Sequence, residues 1–293
     1  MIVGLIDLDA SKFPNVPLMK ISAWHKAQGD TVEWYDPMFS LEMDRVYIAK
    51  VFDWTPDFQF EIRAKEVIRG GIGYGLDFDN PLPREIEHMY PDYSLYGVDK
   101  AYGFLSRGCP RNCSFCNVSQ HQGLQSRKVA NLSEFWNGQK EVVLLDPNIL
   151  ACKDWKELIQ QLVDSKAKVD FSQGLDIRLM TKEKAEMINQ LRVKTIHFAW
   201  DSYDERTYDK LKEFRNVLRF KSRQLSVYVL VNYDTTFEQD LDRIYRLREL
   251  EYDPYVMIYD RQNASKQIRH MARWVNNRII WKSCKRFEDY QNI

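Results

Sequence analysis

The residues best suited to chemistry lie together in one stretch, Arg107-Gly-Cys109-Pro-Arg-Asn-Cys113-Ser-Phe-Cys116, which places three cysteines within eight residues in the spacing Cys-x3-Cys-x2-Cys. Soft thiolates packed this closely suit iron–sulfur or zinc ligation far better than a disulfide. Three ligands leave a tetrahedral zinc or a four-iron cluster one bond short, so one metal position stays open. A structural zinc would need a fourth protein ligand, and His121 is the nearby candidate. Pro110 and the lack of a second Cys-x2-Cys pair make a zinc knuckle awkward.

The rest of the composition bounds the setting. A chain of 293 residues, 44% hydrophobic and 13% aromatic, can build one large domain or two modest ones. Its 42 basic and 42 acidic residues cancel, so no global field steers it to nucleic acid, although a local basic patch is not excluded. No apolar run approaches the ~20 residues of a membrane span. The start, Met1-Ile-Val-Gly-Leu-Ile-Asp7, lacks the features of a signal peptide. Five cysteines, an odd number with three clustered, point to a reducing cytoplasm, with Cys152 and Cys284 as isolated thiols.

The elements that must hold the cysteine stretch follow a strand–helix rhythm. Strands are expected at 2–7, 31–35, 45–51 and 67–75, with a helix from Leu18 to Gln28 stopped by Gly29. Residues 7–17 read as a proline-broken loop. Gly70-Gly-Ile-Gly73-Tyr-Gly75 lacks both the dinucleotide-binding spacing and a Walker lysine, so it reads as a simple loop. Residues 76–100, rich in proline and without periodicity, read as a linker packed by its aromatics, with the domain boundary near residue 95. From there strands are expected at 101–106, 141–145, 168–172, 195–200, 225–231 and 254–259. Helices fall at 133–138, 155–166, 182–191, 204–217 and 237–250, with Thr181, Asp201-Ser202 and Thr235-Thr236 as caps. Six parallel strands with crossover helices make a partial (βα)6 TIM-type barrel, preceded by a small Rossmann-like α/β domain.

The cysteine spacing, with Phe115 directly before Cys116 and a strand-like segment before the loop, resembles the signature of the radical S-adenosylmethionine (SAM) enzymes. The resemblance implies a [4Fe–4S] cluster on Cys109, Cys113 and Cys116, with SAM chelating the fourth iron. Reductive cleavage of SAM would then release a 5′-deoxyadenosyl radical that acts on an unidentified substrate. A flavodoxin- or ferredoxin-type protein would be the electron donor. The six-stranded pattern matches the family's core, so the resemblance covers residues 101–260 as architecture. Residues 1–95 resemble the cobalamin-binding domain that precedes many such cores. The Asp-x-His-x-x-Gly cobalt motif is absent, and His25 has no aspartate two positions before it. A cobalamin-free domain is preferred, and a cobalamin-dependent methyltransferase is the alternative within the enzyme class.

In parallel barrels ligands bind at the C-terminal strand ends, which nominates the SAM contacts. These are Asp146 for the ammonium, Gln173 and Arg178 for the carboxylate side, Asp201 and Ser202 for the ribose, and Asn232 and Tyr259 for adenine or substrate. Phe115 sits where the family's aromatic helps seat adenine. Plainer uses stand beside these: Asp201, Asp234 and Thr235 as helix caps, Asp176 with Arg178 as a structural ion pair, and Tyr259 as core. The tail from Arg269 to Tyr290 is basic and aromatic. It is expected to pack Met271, Trp274, Ile279 and Trp281 over the barrel, with nucleic-acid binding as the alternative. A different class, a non-catalytic zinc or iron–sulfur protein on RNA, would use the cysteines structurally.

Overall fold

The computed structural model describes residues 1–9, 13–75 and 81–290; parts of the expected loop at 7–17 and linker at 76–100 lie outside them. The chain forms two compact units, Met1–Gly103 with Ala130–Val142, and Phe104–Val129 with Val143–Ile293.

In the first unit, strands β1 (Ile2–Asp7), β2 (Thr31–Trp34), β3 (Met43–Ala49) and β4 (Ala64–Gly70) form a parallel sheet in the order β2-β1-β3-β4. Helix α1 (Val16–Ala27) starts at Asn15, whose side chain accepts from Leu18 N, and ends before Gly29, where φ is 82°. Its Leu18 and Ile21 pack with Val3, Leu5, Tyr47 and Ala49, joined by Ile86 of α2 (Arg84–Glu87). The other face, Ile6, Met43, Val46 and Ile48, is covered by Phe58, Ile62 and Tyr74 instead of a helix. The strand–helix alternation expected here therefore holds on one face only. The segment between β3 and β4 has aromatics without helical periodicity and runs as a loop, of whose aromatics Phe58 packs on the sheet while Phe52, Trp54 and Phe60 stay exposed.

The glycines after β4 meet the backbone of Lys50. A Cβ on Gly71, whose φ is 106°, would lie 2.3 Å from the Lys50 carbonyl oxygen, and Gly73 N donates to that oxygen over 3.0 Å. Close approach is what these glycines permit. Residues 81–100 are fastened to the same unit: Ser22 Oγ and Lys26 Nζ donate to Asp92 over 2.7 and 2.6 Å, and Tyr96 Oη donates to Asp7 over 2.7 Å. His25, fully buried, lies 2.7 Å from Asp30 through Nδ1 and 3.1 Å from Tyr47 Oη through Nε2. Both ring nitrogens are thereby occupied within the core.

The expected strand at 101–106 divides into β5 (Ala101–Gly103) and β6 (Ser106–Arg107). It divides because the amides of Leu105 and Ser106 turn to the Asp146 carboxylate and away from a sheet ladder. The expected helix at 133–138 is a single 3-10 turn, Leu132–Glu134. The remaining elements are α3 (Val118–Gln122), β7 (Arg127–Lys128), β8 (Glu141–Leu144), α4 (Trp155–Ser165), β9 (Lys168–Phe171), α5 (Lys182–Ile188), β10 (Arg192–Ala199), α6 (Glu205–Arg215), β11 (Leu225–Val231), α7 (Phe237–Glu249) and β12 (Asp253–Ile258).

A six-stranded sheet runs β12-β11-β10-β9-β8-β5, and the pairs from β9 through β12 are parallel. Along β10, Ile196 and Phe198 are buried on the helix side, while His197 between them faces the opposite way. The tail is three helices, α8 (Lys266–Asn276), α9 (Arg278–Ser283) and α10 (Phe287–Tyr290). Met271 and Trp274 are buried as expected, and Trp281 lies against Trp274 and under the Arg248 guanidinium. Ile279 does not join them and is 80% exposed. Asn277 caps α9 by accepting from Ile279 N and Ile280 N, breaking the helix and rotating Ile279 off the packed face. No helix among the described residues is long and apolar enough to cross a membrane.

Candidate active site

The three cysteines occupy a loop that leaves β6 and returns through α3 to β7, and β6 pairs antiparallel with β7 at its neck. Gly108, with φ of 89°, makes the first turn; a Cβ there would lie 2.2 Å from the Gln125 carbonyl oxygen. Cys109 N donates to Gly123 O over 3.1 Å, and Cys116 N to Cys113 O over 3.0 Å. All three thiols are free and partly exposed. Cys109 Sγ accepts from Arg111 N and from Asn148 Nδ2, each at 3.4 Å. Burial pushes the Cys113 thiol up, opposed by the Arg178 charge, and Cys116, Asp201 and Cys109 also act on it.

Among the described residues no group of three or more His, Cys, Asp or Glu side chains is drawn together as a metal cage. The donor set of the loop nevertheless fits an iron–sulfur cluster. It offers three soft sulfurs on one short loop, with N–H donors already directed at one of them, as cluster sulfurs require.

Side chains of the loop are fastened to the strand ends. Arg111 Nε donates to Asp176 Oδ2 over 2.8 Å. Arg178 reaches the same carboxylate with Nε at 2.7 Å from Oδ1 and Nη2 at 3.2 Å from Oδ2. Burial opposes ionisation of Asp176, but the hydrogen bonds and charges of Arg178 and Arg111 outweigh it and hold the carboxyl below the usual range. Arg178 thus carries both a carboxylate partner within the chain and a side chain about a third exposed.

On the other side, Tyr233 Oη donates to Ser114 Oγ over 2.7 Å, and its ring meets Phe115 at 5.5 Å and Tyr259 at 4.6 Å. Phe115 and Tyr259 are therefore brought together through a residue between them. Tyr259 is 52% exposed and not core.

The other nominated residues divide. Asp146 is corrected: it is buried, accepting from Leu105 N at 3.0 Å, Ser106 Oγ at 2.6 Å and Ser106 N. Its carboxylate shapes the turn into the cysteine loop and is not presented to a ligand. Ser202 is exposed, its hydroxyl 3.1 Å from Asp204 Oδ2. Asp204, not Asp201-Ser202, caps α6 by accepting from Thr207 N over 2.8 Å. Thr236 caps α7, while Thr235 Oγ1 donates to Asp240.

Asp201 lies two residues past β10 in a half-enclosed position, where burial pushes its carboxyl up to about 6 against the charges of Arg243 and Arg178. Arg243 is fully buried, held by the carbonyls of Trp200 and Leu230 and by Asp240 Oδ1. Asn232 takes the left-handed conformation, φ 64°, which asparagine tolerates in a turn. Gln173 is exposed just before Gly174. Asn148 and Tyr233 lay in stretches visible as strand ends, but nothing in their spacing marked them above their neighbours.

No protein-family model matches the chain. Over 185 residues it is 28% identical to a tRNA-2-methylthio-N(6)-dimethylallyladenosine synthase of Protochlamydia amoebophila (strain UWE25), covering 52% of this chain and 40% of that protein. The chain thus spans less than half the length of that relative. Among solved structures it is similar to the radical S-adenosylmethionine methyltransferase TsrM from Kitasatospora setae, which has cobalamin and a [4Fe–4S] cluster bound. The TM-score is 0.61 at 11% identity, over 88% of this chain and 74% of that one. The chain shares the fold of that structure. On that fold, Arg111, Asn148, Asp176 and Tyr233 are the side chains that hold the cysteine loop against the strand ends.

Proposed function

We propose that this protein is a radical SAM enzyme, with a [4Fe–4S] cluster on Cys109, Cys113 and Cys116. The observation that carries the reading is the cysteine loop itself, three free thiols on a glycine-turned loop tied by Arg111 and Ser114 to the ends of parallel strands. The cluster, when bound, supplies the electron that cleaves SAM to methionine and a 5′-deoxyadenosyl radical; a flavodoxin- or ferredoxin-type protein supplies that electron in turn. The protein's share is positioning and the exclusion of water. The exposed edge of the Arg178 guanidinium suits the SAM carboxylate, Asp201 suits the ribose hydroxyls, and Phe115 with Tyr233 and Tyr259 offers a flat wall for adenine.

The test is anaerobic reconstitution with iron and sulfide, followed by dithionite and SAM. The expected product is 5′-deoxyadenosine, lost in Cys113→Ala and retained in Cys284→Ala. A colourless, zinc-loaded protein that leaves SAM intact would make the loop structural and favour the non-catalytic RNA-binding class.

A second reading, cobalamin-dependent methyl transfer, is favoured by the likeness to TsrM over 88% of the chain. His25 does not supply a cobalt ligand to it, because both ring nitrogens are engaged within the core. Cobalamin retained through gel filtration would promote this reading.

A further inference from the structure

The sulfur of Cys109 receives two hydrogen bonds, one from Arg111 N inside the loop and one from the side chain of Asn148, each at 3.4 Å. Asn148 follows β8 in the chain and is 2% exposed. Its backbone is fixed from the returning arm of the loop. Ser126, itself buried, donates through Oγ to Asn148 O over 2.9 Å, and Ala151 N donates to the same carbonyl over 3.2 Å. A side chain 39 residues further along the chain is thus delivered to the first sulfur of the loop.

The two ends of that amide are used unequally. Nδ2 donates to the sulfur, while Oδ1 is buried without a partner. Turning the amide over would set oxygen against sulfur, two acceptors face to face, so the N–H end belongs on Cys109. An amide also brings a donor without bringing a charge. A lysine or arginine buried at this position would need a carboxylate beside it.

An N–H donor is held more strongly by a sulfur that carries more negative charge. An electron taken up by a cluster on the three cysteines adds to that charge. The bond from Asn148 therefore favours the reduced state over the oxidised one, and burial keeps water from screening the difference. Hydrogen bonds to the sulfurs are one of the means by which proteins set iron–sulfur potentials.

We propose that Asn148 is a positioning residue for reduction: its amide, donating to Cys109 Sγ, raises the potential at which a [4Fe–4S] cluster on the cysteine loop accepts its electron. One electron passes from the external donor to the cluster; no bond to Asn148 is made or broken, and its protons stay on nitrogen. This role presumes the cluster assigned above, and not the cleavage of SAM.

The test compares reconstituted wild type, Asn148→Leu and Asn148→Asp in anaerobic redox titrations followed by the EPR signal of the reduced cluster. Leucine keeps the volume and removes the donor; aspartate keeps the shape and turns an acceptor to the sulfur. Each variant is expected to move the reduction equilibrium about tenfold or more towards the oxidised state, which for one electron lowers the midpoint by about 59 mV or more. Aspartate should move it further, because it adds negative charge. With 15N-labelled asparagine incorporated, pulsed EPR of the reduced wild type should show a nitrogen coupling that Asn148→Asp lacks. A residue that only packs would move neither reading. Wild-type midpoints in the variants that hold iron, or spectra in which the same coupling persists in Asn148→Asp, would overturn the proposal. So would failure of both variants to hold iron, since Asn148 would then serve assembly alone. Formation of 5′-deoxyadenosine is measured on the same samples. A wild type that loads the cluster and shows the Asn148 shift but leaves SAM intact would sink the SAM reading alone. One that cleaves SAM with unmoved potentials would sink the role of Asn148 alone, and a wild type that takes up only zinc would sink both.

Discussion

Arg111 Nε, inside the cysteine loop, lies 2.8 Å from Asp176 Oδ2, just past the end of β9. This contact makes the loop's position a property of the sheet, and Arg178 braces the same carboxylate from its own side of the turn. Asp176→Ala leaves both guanidiniums, each about a third exposed, without a partner. Solvent screening limits the loss of stability to about 1–2 kcal/mol, but iron retained after reconstitution should fall severalfold. The sign with pH follows from the depressed carboxyl. Its contribution is present above the unfolded value of about 4 and lost as pH falls through the lower folded value. Urea unfolding should separate wild type from Asp176→Asn at pH 7 and bring them together well below pH 4; a gap unchanged by acid would refute the clamp.

Asp146 has the opposite sign. Burial raises its carboxyl to about 6 against the hydrogen bonds of Ser106 and Leu105. A folded value above the unfolded one means stability is full below about pH 4 and is lost as pH rises through about 6, by about 3 kcal/mol in all. Unfolding free energies of wild type minus Asp146→Asn, taken at pH 4, 5, 6 and 7, should show that fall. Asp146→Ala should be worse at every pH, because it strands the amides of Leu105 and Ser106 in the interior at about 1–3 kcal/mol each. A flat difference profile would place the charged form in a better environment than its burial implies.

What could be read from sequence, and what could not, divides along physical lines. Strands such as Leu225–Val231 are apolar runs bounded by turns, so local composition determines them. The cysteine loop was legible because its residue types have few other uses at that spacing. Asp146 was misread because a carboxylate at a strand end has two uses. Only the position of the Leu105 and Ser106 amides, some 40 residues earlier, decides between them. Asp204 displaced Asp201-Ser202 as the α6 cap by two or three residues, within the slack of any capping signal.

Tyr233 gives a cleaner test of how the loop is held from its other side. Tyr233→Phe keeps the ring against Phe115 and Tyr259 and removes only the hydroxyl bonded to Ser114. A hydrogen bond at this exposure contributes about 0.5–1 kcal/mol, so the melting temperature should barely move. Proteolysis between Arg107 and Arg127 in the apoprotein should accelerate about two- to fivefold. Tyr233→Ala should add a loss of SAM affinity, because it also removes the middle of the aromatic wall. Equal proteolysis in wild type and Tyr233→Phe would mean the loop is fixed from the Asp176 side alone.

Asp201 links the fold to a pH dependence in binding. It follows β10 beside the charges of Arg243 and Arg178, and burial still lifts its carboxyl to about 6. Above that value the carboxylate can accept hydrogen bonds from two vicinal hydroxyls; below it, one oxygen becomes a donor and the pairing is lost. At pH 5, one unit below the transition, about a tenth of the molecules remain ionised. If Asp201 receives the ribose, SAM affinity in the reconstituted protein should weaken about tenfold between pH 7.5 and pH 5. In Asp201→Asn it should be weak and nearly independent of pH. The two proteins should converge at pH 5, since the variant mimics the neutral acid. Equilibrium dialysis with radiolabelled SAM measures this without turnover. A wild-type affinity that is flat across the range, or a slope that persists in Asp201→Asn, would move the ribose contact to another strand end and leave Asp201 as a partner of Arg243.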